Sequence, residues 1–356
     1  MTRKIRLLLF LSVQASLAAQ QPSQDARKKP TNTDSEHTVS STDTLPHRIR
    51  ERRLEGIDRG SRIQTLTGLS VNGSVEPIRE IQEESVRLDA QTTRKIRRLF
   101  TRAPDGSLRM AEQTEETTRT LPGGKTRVEG TTSRVDLNGR LQPTQRQIRE
   151  IENVGADVTK THTSVLAPDI NAGFARTLEI EEVERRKPGG GVEIQETRTA
   201  PNPNQGWEVR ERVERVIRPE SGDARTEEEQ LYRRDFEGKM FLAERTVVRE
   251  TKDAQGVVRR TAESSRRNAA AAQLQVDSRV RTVETRMPDG TVRTVEELEA
   301  RRLDSPGQGL RLIQKSMEVL RPDGKGGVEG DRQIQGLDPN GRLVVTSTVK
   351  IKETKR

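Results

Sequence analysis

The 356-residue chain has no cysteine, which removes disulfide bonds, thiolate nucleophiles and thiolate metal sites together. Aromatic residues make up 2% of it, with one Trp, one Tyr and five Phe. So few rings exclude the stacking platforms of single-stranded nucleic-acid binders and the girdles of a membrane barrel, and they argue against a sugar-binding cleft. Three histidines leave little material for acid–base or metal chemistry. No Gly-x-Ser-x-Gly elbow, His-Glu-x-x-His pair or phosphate-binding Gly-rich loop occurs. The hydrophobic set is 29%, too little for a thick core.

What the chain has in plenty is charge, 33% and mixed in sign. Its formal net charge of +9 falls to +6 once Arg3, Lys4 and Arg6 are set aside, a mild bias and no nucleic-acid signature. Those three residues precede the short apolar run Leu7 to Val13, and Ser16-Leu17-Ala18 places small residues where a signal peptidase reads. Residues 1–18 are therefore expected to be a signal peptide for export to a periplasm or the exterior, too short in its apolar part to span a bilayer of ~30 Å. Residues 19–47, rich in Ser, Thr and Pro, read as a disordered tether in which His37 and His47 are isolated linker residues.

From residue 48 to 356 the chain is punctuated by turns. Gly73, Gly106, Gly139, Gly173, Gly206, Gly238, Ala272, Gly309 and Gly341 follow one another in steps of 33, 33, 34, 33, 32, 34, 37 and 32. A second set lies midway, at Gly124, Gly155, Gly190, Gly222, Gly256, Gly290 and Gly326. Asn-Gly and Asp-Gly supply the positive φ of tight hairpin turns, so both sets are structural turn marks. Between them apolar and polar residues alternate, as in Trp207, Val209, Val213 and Ile217 against Glu208, Arg210, Arg212 and Glu214. The Glu/Arg-rich windows Thr226 to Arg234 and Thr294 to Arg302 suit helices by composition, but their Thr and Val content and even turns favour strands. The predicted fold is all-β: an elongated antiparallel up-and-down meander of about nine two-strand hairpin repeats of ~33 residues, as an open twisted or a curled sheet.

Apolar residues crowd the strand ends beside the first set of turns, notably Leu137, Phe174, Trp207, Phe236, Leu312 and Leu343. One hydrophobic margin is expected there and a solvated margin opposite. The Asp136-Leu137-Asn138-Gly139 and Asp338-Pro339-Asn340-Gly341 turns lack the further carboxylates of a calcium loop, so no metal and no cofactor is expected. Hairpin repeats with Asp/Asn-Gly turns are loosely similar to extracellular repeats of the tyrosine-aspartate type, but Tyr232 is the sole tyrosine and no Tyr-Asp pair exists, so no family is assigned. The expected function is that of a non-enzymatic exported scaffold or adhesion-type protein of the envelope, with an envelope polysaccharide or protein as partner, no nucleic acid and no membrane span after signal removal. The alternative is a binding module for anionic envelope glycan or lipid headgroups. A glycan-active enzyme comes third, since paired carboxylates are a matter of space and not of sequence.

Overall fold

The structure, a computed structural model, describes residues 31–355 apart from the segments 42–46, 56–57, 70–74, 172, 203–205, 221–222, 236, 268–272, 302–308 and 325–326. The expected signal peptide, Gly73 and Phe236 lie outside the described residues.

The chain is all-β. Its strands are β1 (Thr31–Ser41), β2 (His47–Glu55), β3 (Arg59–Leu69), β4 (Val75–Arg87), β5 (Thr92–Arg102), β6 (Leu108–Thr120), β7 (Thr126–Val135), β8 (Leu141–Asn153), β9 (Val158–Pro168) and β10 (Phe174–Arg186). They continue with β11 (Val192–Asn202), β12 (Gly206–Pro219), β13 (Arg225–Arg234), β14 (Met240–Lys252), β15 (Val258–Arg267), β16 (Leu274–Arg286), β17 (Val292–Ala300), β18 (Arg311–Pro322), β19 (Val328–Leu337) and β20 (Leu343–Lys355). The window Thr226 to Arg234 lies within β13, and residues 294–300 of the other lie within β17.

Strands β2 to β20 pair antiparallel in sequence order, a single up-and-down sheet. The nineteen would leave two free edges. Strand β1 occupies the space between them, paired with β2 from Thr31 opposite Glu55 to Val39 opposite His47, and with β20 from Thr33 opposite Lys355 to Ser41 opposite Ser347. The sheet is thus the curled form of the expected meander.

Two expectations change here. The tether does not run to residue 47, because residues 31–41 are a strand; ladder bonds on both sides of a polar segment supply what its few apolar groups do not. The hairpin domain accordingly begins before residue 48 and holds ten hairpins, one more than the turn marks indicate, since the connection Thr42 to Pro46 contains no glycine.

The repeat length has a geometric consequence. Residues in the same cross-strand row recur every 35 positions in successive odd strands: Arg62 to Arg97 through Glu83, Val128 to Thr163 through Arg149, Thr161 to Glu196 through Glu182. The sequence repeat is 33, so each hairpin is staggered by two residues. Two residues (~7 Å) over two strand spacings (~10 Å) tilt the strands by roughly 35°, the inclination a sheet needs to close on itself.

Because 35 is odd, strict alternation would send these row mates to opposite faces. One bulged residue per hairpin restores them. Ladder registers shift at Ile78, Ala111, Thr144, Thr177, Arg210, Ala243, Asp277, Ile313 and Thr346, each on the even strand beside the first set of turns. Where the bulged residue is Thr, its hydroxyl donates to the carbonyl across the bulge: Thr144 to Thr132 at 3.2 Å, Thr177 to Val165 at 3.2 Å and Thr346 to Ile334 at 3.3 Å.

The two faces differ in shelter. Ile151, Thr161, Thr163, Glu182, Thr246, Val280 and Ile351 share one face and are buried or half-buried; Glu150, Lys160, His162, Glu181, Arg245, Arg249, Arg281, Lys350 and Lys352 share the other and are exposed. Buried apolar side chains are few, Val128 and Ala243 among the described residues, so the core is as thin as the composition requires.

Candidate functional site

The turns come first, because most of the singled-out glycines sit there. Gly106, Gly139, Gly206, Gly238 and Gly341 have positive φ, between 76° and 87°. Gly173 is not among the positive-φ glycines. Its amide donates to Asp169 Oδ1, the part that Arg140 plays toward Asp136, so it aligns one place beyond Gly139.

The aspartates at these turns are occupied by the backbone. Asp136 Oδ1 accepts from the amides of Asn138 (2.9 Å) and Arg140 (2.8 Å), and Asp338 Oδ1 from those of Asn340 and Arg342, both at 2.8 Å. Asp253 repeats the arrangement with Gln255 and Val257. Asp105, held by the Ser107 hydroxyl and amide and by Arg109, has its pKa lowered to about 2. These carboxylates are turn clamps. Among the described residues no group of three or more His, Asp or Glu is arranged to hold a metal.

The apolar margin is distributed differently from expectation. Beside the first set of turns Leu137 is fully exposed and Trp207 45% exposed, Leu312 and Leu343 are half-buried, and Phe174 lies under the Arg146 guanidinium, 4.2 Å from its ring centre. The opposite rim, expected to be solvated and polar, also exposes apolar side chains: Leu88, Leu121, Val154 and Met287. Turn positions there are taken by aliphatic residues that strand alternation does not count.

What sequence reasoning missed is a network. On the sheltered face Glu51 pairs with Arg62 (2.8 Å), Arg62 with Glu83 (3.3 Å), Glu83 with Arg97 (3.6 Å), Arg97 with Glu112 (3.8 Å) and Glu112 with Arg134 (3.0 Å). This zipper crosses six strands, β2 to β7. A second crosses β11 to β16: Glu196 with Arg198 (2.6 Å), Arg198 with Glu211 (2.9 Å), Glu211 with Arg233 (3.1 Å), Glu244 with Arg233 (3.5 Å) and with Arg266 (3.9 Å), and Arg266 with Asp277 (3.6 Å). Glu211 and Glu244 are 33 apart, as are Arg233 and Arg266, so the repeat itself writes the zipper.

Two constellations come nearest to reactive chemistry. Glu182 on β10 stands opposite Glu196 on β11 on the sheltered face. Burial first, then the charges of Glu196 and Glu184, push its pKa up, against the opposing pull of Arg215 and Arg149. It borders a groove of about 550 Å³ together with Thr126, Ile151 and Thr161. Its neighbour Glu196 is held by Arg198 at 2.6 Å, and Arg215 by Glu229 at 2.5 Å.

On the other face Glu179 Oε2 lies 2.7 Å from Ser164 Oγ and 2.9 Å from His162 Nε2. Ser164 Oγ to His162 Nε2 is 3.4 Å. A nucleophilic triad needs the imidazole between hydroxyl and carboxylate; here the carboxylate accepts from the Ser164 hydroxyl directly, with His162 Nε2 beside the same oxygen, and Ser164 is buried. The cluster ties β9 to β10. Sequence alone could not find it, since Glu179 comes from the neighbouring strand.

No family model and no curated protein matches the chain. Among solved structures, the ferric enterobactin receptor of Pseudomonas aeruginosa is 8% identical, over 94% of this chain and 74% of that one, with a TM-score of 0.45. OccK5 of the same organism is 8% identical over 92% and 97%, at 0.38, and Salmonella typhi OmpF is 7% identical over 92% and 97%, at 0.35. A Bacteroides fragilis protein of unknown function is 13% identical over 37% and 87%, at 0.24. All four scores lie below 0.5, and none bears on what this chain does.

Proposed function

We propose that the chain is a non-enzymatic β-repeat scaffold, exported by its N-terminal segment to the cell envelope or exterior. The observation that carries this reading is the pair of six-strand ion-pair zippers. They spend charged side chains on joining one strand to the next, as the turn aspartates are spent on holding backbone amides. Each exposed pair contributes little, ~0.2–1 kcal/mol, but a network repeated along the sheet stiffens it where a core is missing. Among the described residues both faces carry Arg and Glu, so neither offers the continuous apolar band of a bilayer-spanning barrel.

Fractionating cells that express the full chain and a version lacking residues 1–18 tests the export part. The full chain should leave the cytoplasm and the shortened one should stay; equal cytoplasmic retention of both would end the envelope reading. A second reading has one observation in its favour: the exposed face presents Lys160, Arg249, Arg281, Lys350 and Lys352 to solvent. If that face binds anionic glycan or lipid headgroups, retention on envelope polysaccharide should fall with added salt and with Arg249→Gln and Arg281→Gln. A scaffold alone would show no such retention.

A further inference from the structure

On the face opposite the zippers, the strand ends beside the first set of turns carry apolar side chains that the scaffold reading leaves unused. Leu108, Leu141, Phe174, Trp207 and Met240 stand at the starts of successive even strands in steps of 33. Their ladder partners are Arg102, Val135, Pro168, Pro201 and Arg234. Two residues further from the turns a second tier follows, with Phe100 opposite Met110, Tyr232 opposite Leu242 and Ser265 opposite Val276. None of these side chains is buried. Beyond the first tier, Leu137 and Ile170 stand fully exposed at the turn tips, again 33 apart. The third tier is polar, with Gln113, Arg146, Arg212 and Arg245. Arg146 and Arg212 lay their guanidinium groups over the rings of Phe174 and Tyr232, at 4.2 and 4.7 Å from the ring centres. Tyr232 turns its hydroxyl away from the rim and donates to Gln230 at 2.6 Å.

Apolar tips, apolar tiers, then rings whose polar ends and covering guanidinium groups point to water: this is the order of a surface made for a lipid interface. Charge agrees with it. Among the described residues Arg140, Arg146, Arg267 and Arg342 have no ion-pair partner. The acids of the same rim are engaged: Glu76 by Arg102, Glu208 by Arg234, and Asp136, Asp169 and Asp338 by backbone amides. The charge left over is therefore positive and lies beside the apolar band. Height agrees as well. Tiers two residues apart make a band of ~7 Å. That is far short of the ~25 Å of a spanning barrel and within the ~5–10 Å that interfacial elements bury. Because the sheet is curled, the band curves with it; a folded partner would cover one arc, whereas a fluid lipid surface covers the whole.

We propose that this rim docks into the headgroup region of an anionic phospholipid membrane, as a peripheral contact with one leaflet. The proposal does not rest on the export reading, which cell fractionation tests separately. Its site also differs from the charged face of Arg249 and Arg281, which lies further along the strands.

Trp207 is the sole tryptophan of the chain and sits in the first tier, so its emission reports on the band itself. The apolar run Leu7 to Val13 can enter lipid on its own, which makes Trp207 emission a better readout than cosedimentation. The full chain is titrated with vesicles of phosphatidylcholine and phosphatidylglycerol in equal parts, and with vesicles of phosphatidylcholine alone. With the anionic vesicles the emission should shift to the blue and be quenched by lipid spin-labelled near the headgroup. L137S/I170S, changed only at fully exposed turn tips, should raise the lipid concentration at half-maximal shift about tenfold. R140Q/R342Q should remove most of the preference for anionic over neutral vesicles, and R249Q/R281Q should change neither. No shift with anionic vesicles, a shift that L137S/I170S leaves as it was, equal affinity for neutral vesicles, or affinity lost with R249Q/R281Q instead would each overturn the proposal. So would a blue-shifted emission already present without lipid in a particle of dimer mass, which would put a second copy on the band.

Discussion

Glu211 is the residue on which the second zipper turns, and replacing it by Gln is the sharpest perturbation of the frame. Its two carboxylate oxygens reach Arg198 at 2.9 Å and Arg233 at 3.1 Å, on the strands to either side, and all three side chains are partly exposed. Two pairs of that exposure are worth ~0.2–1 kcal/mol each, so the amide should cost about 0.5–2 kcal/mol. For a span of roughly 325 residues, unfolding entropy near 2.1 cal/mol/K per residue gives ~0.7 kcal/mol/K, and the loss reads as about 1–3 °C in melting temperature. A double-mutant cycle with Arg198→Gln should return a coupling of ~0.2–1 kcal/mol at low salt. It should shrink at 1 M salt, where the screening length is ~3 Å. Thermal melts followed by circular dichroism at the two ionic strengths measure all of this. A Glu211→Gln chain as stable as the original at low salt, or a loss unchanged by salt, would refute the claim that charge pairing holds these strands.

Glu182 should behave in the opposite sense. Its folded pKa lies above the ordinary carboxylate value, so the acid form fits the fold, and that advantage is full below the unfolded pKa and lost as pH rises through the folded one. Glu182→Gln should therefore stabilise the chain at neutral pH and lose its benefit below ordinary carboxylate pH; a variant destabilised at pH 7 would contradict the assignment. At the bulges, Thr144→Val and Thr346→Val should each cost ~0.5–1.5 kcal/mol through the lost hydroxyl bond, with Thr→Ser retaining most of it. Denaturant midpoints equal for the Val and Ser variants would mean the bond contributes nothing.

Much of the fold was legible because glycines at 33-residue steps mark one rim and a second set marks the other, and because strands between fixed turns can only run up and down. Strand β1 escaped because its connection to β2 has no glycine and its composition resembles a linker; what orders it is two neighbouring backbones, which no local window contains. The bulges escaped for another reason. The residues at those places, from Ile78 and Ala111 to Arg210 and Asp277, share no side-chain type, and only the odd repeat length hints at them. Aspartates at turns could be read correctly as punctuation, since an Asp two or four residues before a turn amide needs no tertiary structure to reach it. The zippers and the His162–Glu179 contact join residues from different strands, and only the 33-residue spacing of Glu211 with Glu244 and of Arg233 with Arg266 was there to be noticed.

The central structural claim is that β1 joins the two ends of the sheet, and one distance tests it. Arg48 on β2 and Lys350 on β20 are both in register with Thr38, so they are two strand spacings apart, ~10 Å. In a flat sheet of nineteen strands the same pair would be separated by roughly 85 Å. Spin labels on R48C/K350C in the otherwise cysteine-free chain should give a narrow dipolar distance below ~25 Å, label length included. A distribution centred beyond ~40 Å would show the sheet open, with β1 joining nothing.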